Sequence, residues 1–396
     1  MIGVSVSARS PEKFGGILAA PTRRDRHFAI GAVIAVVLAL ALTGAVVVFA
    51  VTRPGPSLVA ILAAPGGASS AAFSSDGRTL AILEAHGSTR LWDTATRHWT
   101  ATLKSPQCAN GDAQVLFNPA GRTLAVIGSR GSTCLWDVVT RRQIAVLTEP
   151  GDHAATRVTS GAFSPDGKLL AIGDSNGSTY LWDIATGRRI ATLTDLSNGP
   201  NGGHDVEAVA FGPAGATLAV GDGNDLTYIW SIATRRVIAT LDDSASDVPP
   251  GGGYEDSGGV ESLTFGPEGT LAVGDGDGDV YLWDVPARRP VATLVPPINI
   301  MEANSLYYTP ADVAGQIEGG NGPIGVTVVS GNGGSVLATG VDFGYGVDLW
   351  SGTHRTATVT DPRGDNTQAP QLALSPDGTM LAVVDHNGRT YLWHVG

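Results

Sequence analysis

Three aspartates alternate with glycines at Asp275-Gly276-Asp277-Gly278-Asp279, and carboxylates in that spacing are the hard oxygen ligands that a calcium ion takes. An EF-hand loop also needs glycine at its sixth position and glutamate at its twelfth, where this chain has Val280 and Pro286. The same run reads as a tight hairpin turn, like GDSNG at 173–177, GDGND at 221–225 (with Asp222) and VDHNG at 384–388. The turn reading is preferred, so no metal is expected. The two cysteines, Cys108 and Cys134, offer thiol chemistry with two readings open: a disulfide, or a buried small hydrophobe at Cys134 beside a loop thiol at Cys108. The eight histidines show no zinc-binding spacing. No nucleophile elbow, P-loop or dinucleotide fingerprint occurs, and no convergent acid–base set is visible. The expectation is a non-enzyme without a cofactor.

The elements that carry these residues repeat. Seven strand-like runs close on tryptophan: Trp92, Trp136, Trp182, Trp230, Trp283, Trp350 and Trp393, spaced 44, 46, 48, 53, 67 and 43 residues apart. Self-similarity at such a period signals a repeat architecture. The third repeat is the clearest. SGAFS (160–164), KLLAIG (168–173), STYLWD (178–183) and RRIATLT (188–194) are four short runs of β-branched, aromatic and aliphatic residues, separated by PDG, DSNG and IATG turns. One four-stranded antiparallel sheet per repeat follows, with strands termed a to d.

On these residues the chain resembles the tryptophan–aspartate (WD) repeat β-propeller family over 57–396. AFSSDGRTLAI at 72–82, AFSPDGKLLAI at 162–172, LSPDGTMLAV at 374–383 and the seven Trp closures carry the resemblance. It looks most like bacterial, membrane-anchored versions. The family's Gly-His pair between repeats survives only at Gly203-His204, with His153 a second candidate, so the family's buried His–Ser/Thr–Trp–Asp network is mostly missing. The resemblance implies an all-β, seven-bladed β-propeller. The seventh repeat stops after its third strand, and SLVAIL at 57–62 matches RRIATL of repeat three; the N-terminal strand is therefore expected to complete the last blade.

Before the propeller, residues 28–51 carry no charge and only Thr43 is polar, long enough for a membrane-spanning helix. Arg23, Arg24 and Arg26 precede it, which places residues 1–27 in the cytoplasm as a short disordered tail and the propeller outside the membrane. Residues 52–56 form a linker. A cleavable secretory signal is the rival reading; the length of the run favours an uncleaved anchor, and the absence of a cysteine before Cys108 argues against a lipid anchor.

Net charge is −12, and residues 1–53 hold six Lys/Arg and two acids, so the propeller carries −16 by difference. Such a domain is a poor general binder of nucleic acid. In an up-and-down blade, b–c hairpins and d–a connections share a top face, while a–b and c–d turns share a bottom face. The top is expected to be acidic, with Asp222, Asp275, Asp277 and Asp279 as candidate binding residues alongside the loop aromatics Tyr254, Tyr307 and Tyr308. The apolar insertion 296–322 reads either as a binding loop or as a plug over the channel, the plug preferred. The c–d turns carry Arg141-Arg142, Arg188-Arg189, Arg235-Arg236 and Arg288-Arg289, which makes the bottom basic and a candidate membrane-facing surface.

The reading is a membrane-tethered extracytoplasmic interaction scaffold or sensor that binds an unidentified protein through its top face and channel, as the resemblance implies. Similar bacterial propellers hang from cytoplasmic kinases; this chain has no kinase, so a signal would pass through a partner. The alternatives are a propeller enzyme (hydrolase, lyase or quinoprotein-like) and an envelope glycan binder.

Overall fold

The computed structural model describes residues 36–39, 46–49, 55–64, 67–84, 87–105, 108, 114–148, 157–194, 205–223, 225–242, 259–266, 269–276, 279–294, 326–331, 336–341, 346–360, 371–384 and 388–396. The chain divides into two compact units, Met1–Gly55 and Pro56–Gly396. In the first, Val36–Ala39 and Val46–Phe49 pair as antiparallel strands. The helix expected over 28–51 is therefore not shown. Both stretches are rich in valine, whose branching at Cβ favours a pleated strand. Among the described residues, no helix is long and apolar enough to cross a membrane.

The second unit holds seven four-stranded antiparallel sheets. Blade 1 comprises Ala68–Phe73, Thr79–Glu84, Ser88–Asp93 and His98–Lys104, and blade 3 comprises Val158–Phe163, Leu169–Asp174, Ser178–Asp183 and Arg188–Thr194. In blade 7, Gln371–Leu374, Met380–Val384 and Arg389–His394 are completed by Ser57–Ala63. Strand a of every blade contacts strand a of the next, and blade 7 returns to blade 1, which closes the ring.

Closure extends to register. In blades 1 to 6 the c–d pairing carries one bulge beside the tryptophan; Ile190 is the extra residue between Leu181↔Ala191 and Trp182↔Arg189. The N-terminal strand reproduces it with Val59, between Leu392↔Ala60 and Trp393↔Leu58. A neighbour in place of a bare edge also removes a site for unwanted strand addition.

Each blade is buried on both faces, and the sequence solves this with two dipeptides. Every strand b contains Leu-Ala, from Leu80-Ala81 to Leu381-Ala382; every strand c contains Leu-Trp or Ile-Trp. Successive side chains point to opposite faces of a strand. The strand b leucine and the tryptophan therefore pack on the preceding blade, whereas the alanine and the strand c leucine pack on the following one. Trp182 and Leu170 lie with Ala125, Leu135 and Leu147 of blade 2, while Ala171, Leu181 and Leu193 meet Phe211, Leu218 and Trp230 of blade 4. Large against small is repeated at all seven seams, one core cluster per seam. All seven lie within Pro56–Gly396, so this unit contains its whole core.

Around the channel, strand a of one blade is tied to strand a of the next by a side chain. The backbone N–H groups of Val115, Gly161, Val209 and Val328 donate to Ser70 Oγ, Gln114 Oε1, Ser160 Oγ and Ser262 Oγ at 3.1–3.2 Å. Each bond satisfies a donor on the inner edge of the sheet. The matching position in blade 4 is Ala208, which has no acceptor in its side chain.

Candidate functional site

At the top end, the b–c hairpins turn their aspartates inward. Asp174 is 1 % exposed. Its Oδ1 accepts the N–H groups of Asn176 (3.0 Å) and Ser178 (2.8 Å), and its Oδ2 accepts the Tyr180 hydroxyl (2.9 Å). Burial and the Asp174 carboxylate push the Tyr180 phenol up to about 12. Arg189 lies over the Tyr180 ring, 5.5 Å from its centroid.

Asp222 and Asp275, candidates for an exposed acidic site, occupy the same place in blades 4 and 5. They are 1 % and 3 % exposed, and Asp222 Oδ1 accepts the Leu226 N–H at 3.1 Å. These carboxylates belong to the blade framework. Asp279 is half-buried and its carbonyl closes the hairpin on the Asp275 N–H at 3.1 Å. Asp277, Tyr254, Tyr307, Tyr308 and the insertion 296–322 lie outside the described residues. Among the described residues no group of His, Cys, Asp or Glu is arranged to hold a metal ion.

Blades 1 and 2 depart from this pattern. Blade 1 exchanges the partners of blade 3: Arg90 stands at the Tyr180 position and Trp99 at the Arg189 position, with the guanidinium 3.7 Å from the ring centroid. Arg90 also meets Glu84 at 3.8 Å and donates to the Ala63 carbonyl at 3.2 Å, which pins the closing strand. In blade 2 the Tyr180 position is Cys134. It is bonded to Cys108 with Cα atoms 5.7 Å apart, so the pair left open by the sequence is a disulfide here.

Near the channel mouth, Glu207 sits on the bulge that opens strand a of blade 4. Burial raises its carboxyl above the ordinary range, the Asp205 charge adds to this, and Arg157 partly offsets it.

The bottom end is built the opposite way. In blades 1, 2, 3 and 5 the c–d turn is capped by the aspartate that follows the tryptophan, and in blade 4 by Ser231. Asp93 Oδ1 accepts the Thr96 N–H at 2.7 Å, Asp137 Oδ1 that of Thr140 at 2.7 Å, and Asp183 Oδ1 that of Thr186 at 2.8 Å. Bonds to the turn threonines hold all three carboxyls below the ordinary carboxylate range. Four residues after the capping position the backbone turns left-handed, with φ of 58°, 58°, 56° and 53° at Arg97, Arg141, Arg235 and Arg288. Blade 3 uses glycine there, Gly187 (φ 63°), whereas blade 6 has a shorter turn in which only Gly352 and Thr353 separate Ser351 from its partner His354.

The candidate membrane-facing residues Arg141, Arg142, Arg188, Arg189, Arg235, Arg236, Arg288 and Arg289 are all exposed at this end. Arg189 is turned to Tyr180, and Arg289 lies 3.9 Å from Asp284. The sequence reading passed over Arg97 and Arg355, because neither stands in an Arg-Arg pair. The signal for Arg97 was its distance of four residues from Asp93, the distance from Asp137 to Arg141 and from Asp284 to Arg288.

Residues 143–183 and 252–284 match the family model described as WD domain, G-beta repeat. These matched repeats and the seven-bladed ring support a WD-repeat β-propeller. A comparison with curated proteins finds no match.

Proposed function

We propose that the chain is a non-enzymatic interaction scaffold of the bacterial, membrane-anchored kind: a propeller held outside the membrane by residues 28–51, displaying its top face and channel to a protein partner. The observation that carries the scaffold reading is how the repeat chemistry is used. Described tryptophans and turn aspartates are spent on seams, hairpins and caps, which leaves a rigid ring with two unlike ends for display. Rigid scaffolds with variable connections are the usual place for binding sites. Two observations favour an exported domain. The apolar run 28–51 is preceded by Arg23, Arg24 and Arg26, and a Cys108–Cys134 disulfide persists in oxidising compartments.

The test is protease treatment of intact cells that make the protein with a C-terminal tag. Loss of the tag without lysis is the expected result. Protection until lysis, beside a control substrate that is cut, sinks the extracytoplasmic reading. The scaffold reading is tested by cross-linking in intact cells followed by mass spectrometry; reproducible links from top-face residues to one envelope protein are expected, and their absence alongside recovery of a surface glycan would replace the protein partner by a carbohydrate.

A further inference from the structure

From the bottom end of the ring we infer a docking surface for an anionic phospholipid bilayer, formed around the left-handed arginines Arg97, Arg141, Arg235 and Arg288. The inference rests on the tethered reading for the presence of a bilayer.

Backbone conformation is the first argument. A side chain with a Cβ is disfavoured at φ near +55°, and blade 3 shows with Gly187 that glycine serves there. Nothing inside the described molecule requires arginine at the other four. The four guanidiniums are exposed and, among the described residues, none is in an ion pair.

Among the described residues, the top face has one exception to glycine at a left-handed position. Asp225 (φ 61°) is 5 % exposed, and its Oδ1 accepts the Gly259 N–H of the next blade at 3.0 Å. There a left-handed side chain is compensated within the fold. The arginines have no such return, so theirs is assigned to a surface outside it.

The third argument is charge. Oδ1 of Asp93, Asp137 and Asp183 accepts the donors of its own turn, while the arginines are exposed. Phosphate is the shared chemistry of anionic partners for arginine.

The bilayer is chosen among them because of where the chain enters. Ser57 pairs with His394 at the bottom end of blade 7, and only Thr52–Ser57 separate it from the apolar run. Six extended residues reach at most about 20 Å. By chain length alone, a bilayer that holds 28–51 is within that reach of Ser57, and a planar sheet of phosphates can meet several blades at once.

The experiment uses the propeller, residues 56–396, and flotation with vesicles of phosphatidylcholine alone or mixed with phosphatidylglycerol. Binding is expected only to the mixed vesicles, weakening as salt rises. Replacing Arg97, Arg141, Arg235 and Arg288 together by glycine, the residue already present in blade 3, is expected to weaken binding about tenfold or more. Because glycine suits these turns, an unchanged or higher urea midpoint will separate lost binding from lost fold. Equal flotation of the two proteins overturns the inference. So does wild-type binding to soluble heparin without binding to anionic vesicles, which would assign the surface to a soluble polyanion. Alkaline carbonate extraction of the full chain reports separately on the anchor: release of the protein defeats the tethered reading, whatever the vesicles show.

Discussion

The two ends of the propeller use the same device, a tight turn with an aspartate cap and a left-handed residue, and reach opposite outcomes. At the top, Asp174 and Asp222 lie under the hairpin and the left-handed positions of blades 1, 2, 3 and 7 are Gly87, Gly131, Gly177 and Gly388. At the bottom, the aspartates are part-exposed and four left-handed positions are arginine. The top turns direct these carboxylates into the blade. The bottom turns hold a Cβ at four positions in a conformation that favours glycine.

The largest expected effect falls on the top half. Cys134 replaces the tyrosine that blades 3, 4, 5 and 7 use, so in blade 2 a covalent bond does the work of a buried hydrogen bond. Opening the bond frees a 26-residue separation in the unfolded chain, worth about 3–4 kcal/mol in the loop-entropy picture. Urea unfolding with and without reductant should show that drop in the wild type and none in a Cys108→Ser/Cys134→Ser variant. If reduction leaves the midpoint unmoved, blade 2 is held by packing alone.

Next comes the cap itself. Asp174→Ala leaves two N–H groups and the Tyr180 hydroxyl without their buried acceptor, at a cost of about 3 kcal/mol. Asp183→Ala removes equally short bonds, 2.8 Å to the Thr186 N–H and 2.7 Å to its hydroxyl, at an end where water can replace them. It should cost clearly less. Equal losses in paired urea titrations would erase the distinction between the ends. The caps also predict acid behaviour. Bonds from the Ser164 hydroxyl and then the Lys168 N–H hold Asp166 down to about 2. A depressed carboxyl contributes stability that is present above its unfolded value near 4 and lost as pH falls toward 2. Asp166→Asn should flatten the stability curve in that window and leave pH 7 to 9 parallel to wild type.

How much of this the sequence shows depends on whether the information is periodic. The tryptophan spacing exposes the ring, because a two-faced blade must repeat Leu-Ala and Leu-Trp at every seam. The closing strand was legible too, since Leu62 of SLVAIL aligns with Leu193 of RRIATL and packs alike. Conformation was not legible. Arg141-Arg142 reads as ordinary solvated charge, and nothing in the letters distinguishes a left-handed arginine from its extended neighbour. Burial of Asp222 was hidden for a related reason: an aspartate between glycines looks exposed until the hairpin that includes Leu226 is folded over it. The apolar run 28–51 lacks a period altogether, so length was the only guide there.

The arginine turns give a milder and reciprocal test. Gly187→Arg imposes on blade 3 what blade 2 already carries. The new Cβ would stand 3.9 Å from Leu147, an ordinary contact, so only backbone strain is added. The expected loss is about 1 kcal/mol, and Arg141→Gly should return a similar amount. Thermal or urea midpoints moving in these opposite directions would confirm that the bottom end holds strain. A stable Gly187→Arg protein would mean the turn relaxes and that arginine there is cost-free.

The smallest effect tests whether the top end is optimised throughout. Glu207 is a carboxyl raised first by burial and then by Asp205, with Arg157 opposing. A raised carboxyl favours the neutral form, so its contribution is intact below the unfolded value near 4.5 and is lost as pH climbs through the folded one. At pH 7 the ionised group therefore burdens the fold. Glu207→Gln keeps the shape, removes the charge and should raise the urea midpoint slightly at pH 7, with no gain at pH 4. A loss at pH 7 would instead show that Arg157 outweighs burial and that Glu207 belongs with the satisfied acids of the hairpins. A gain would place an uncompensated group at the channel mouth and would make Glu207 the first residue to substitute when a partner of the channel is sought.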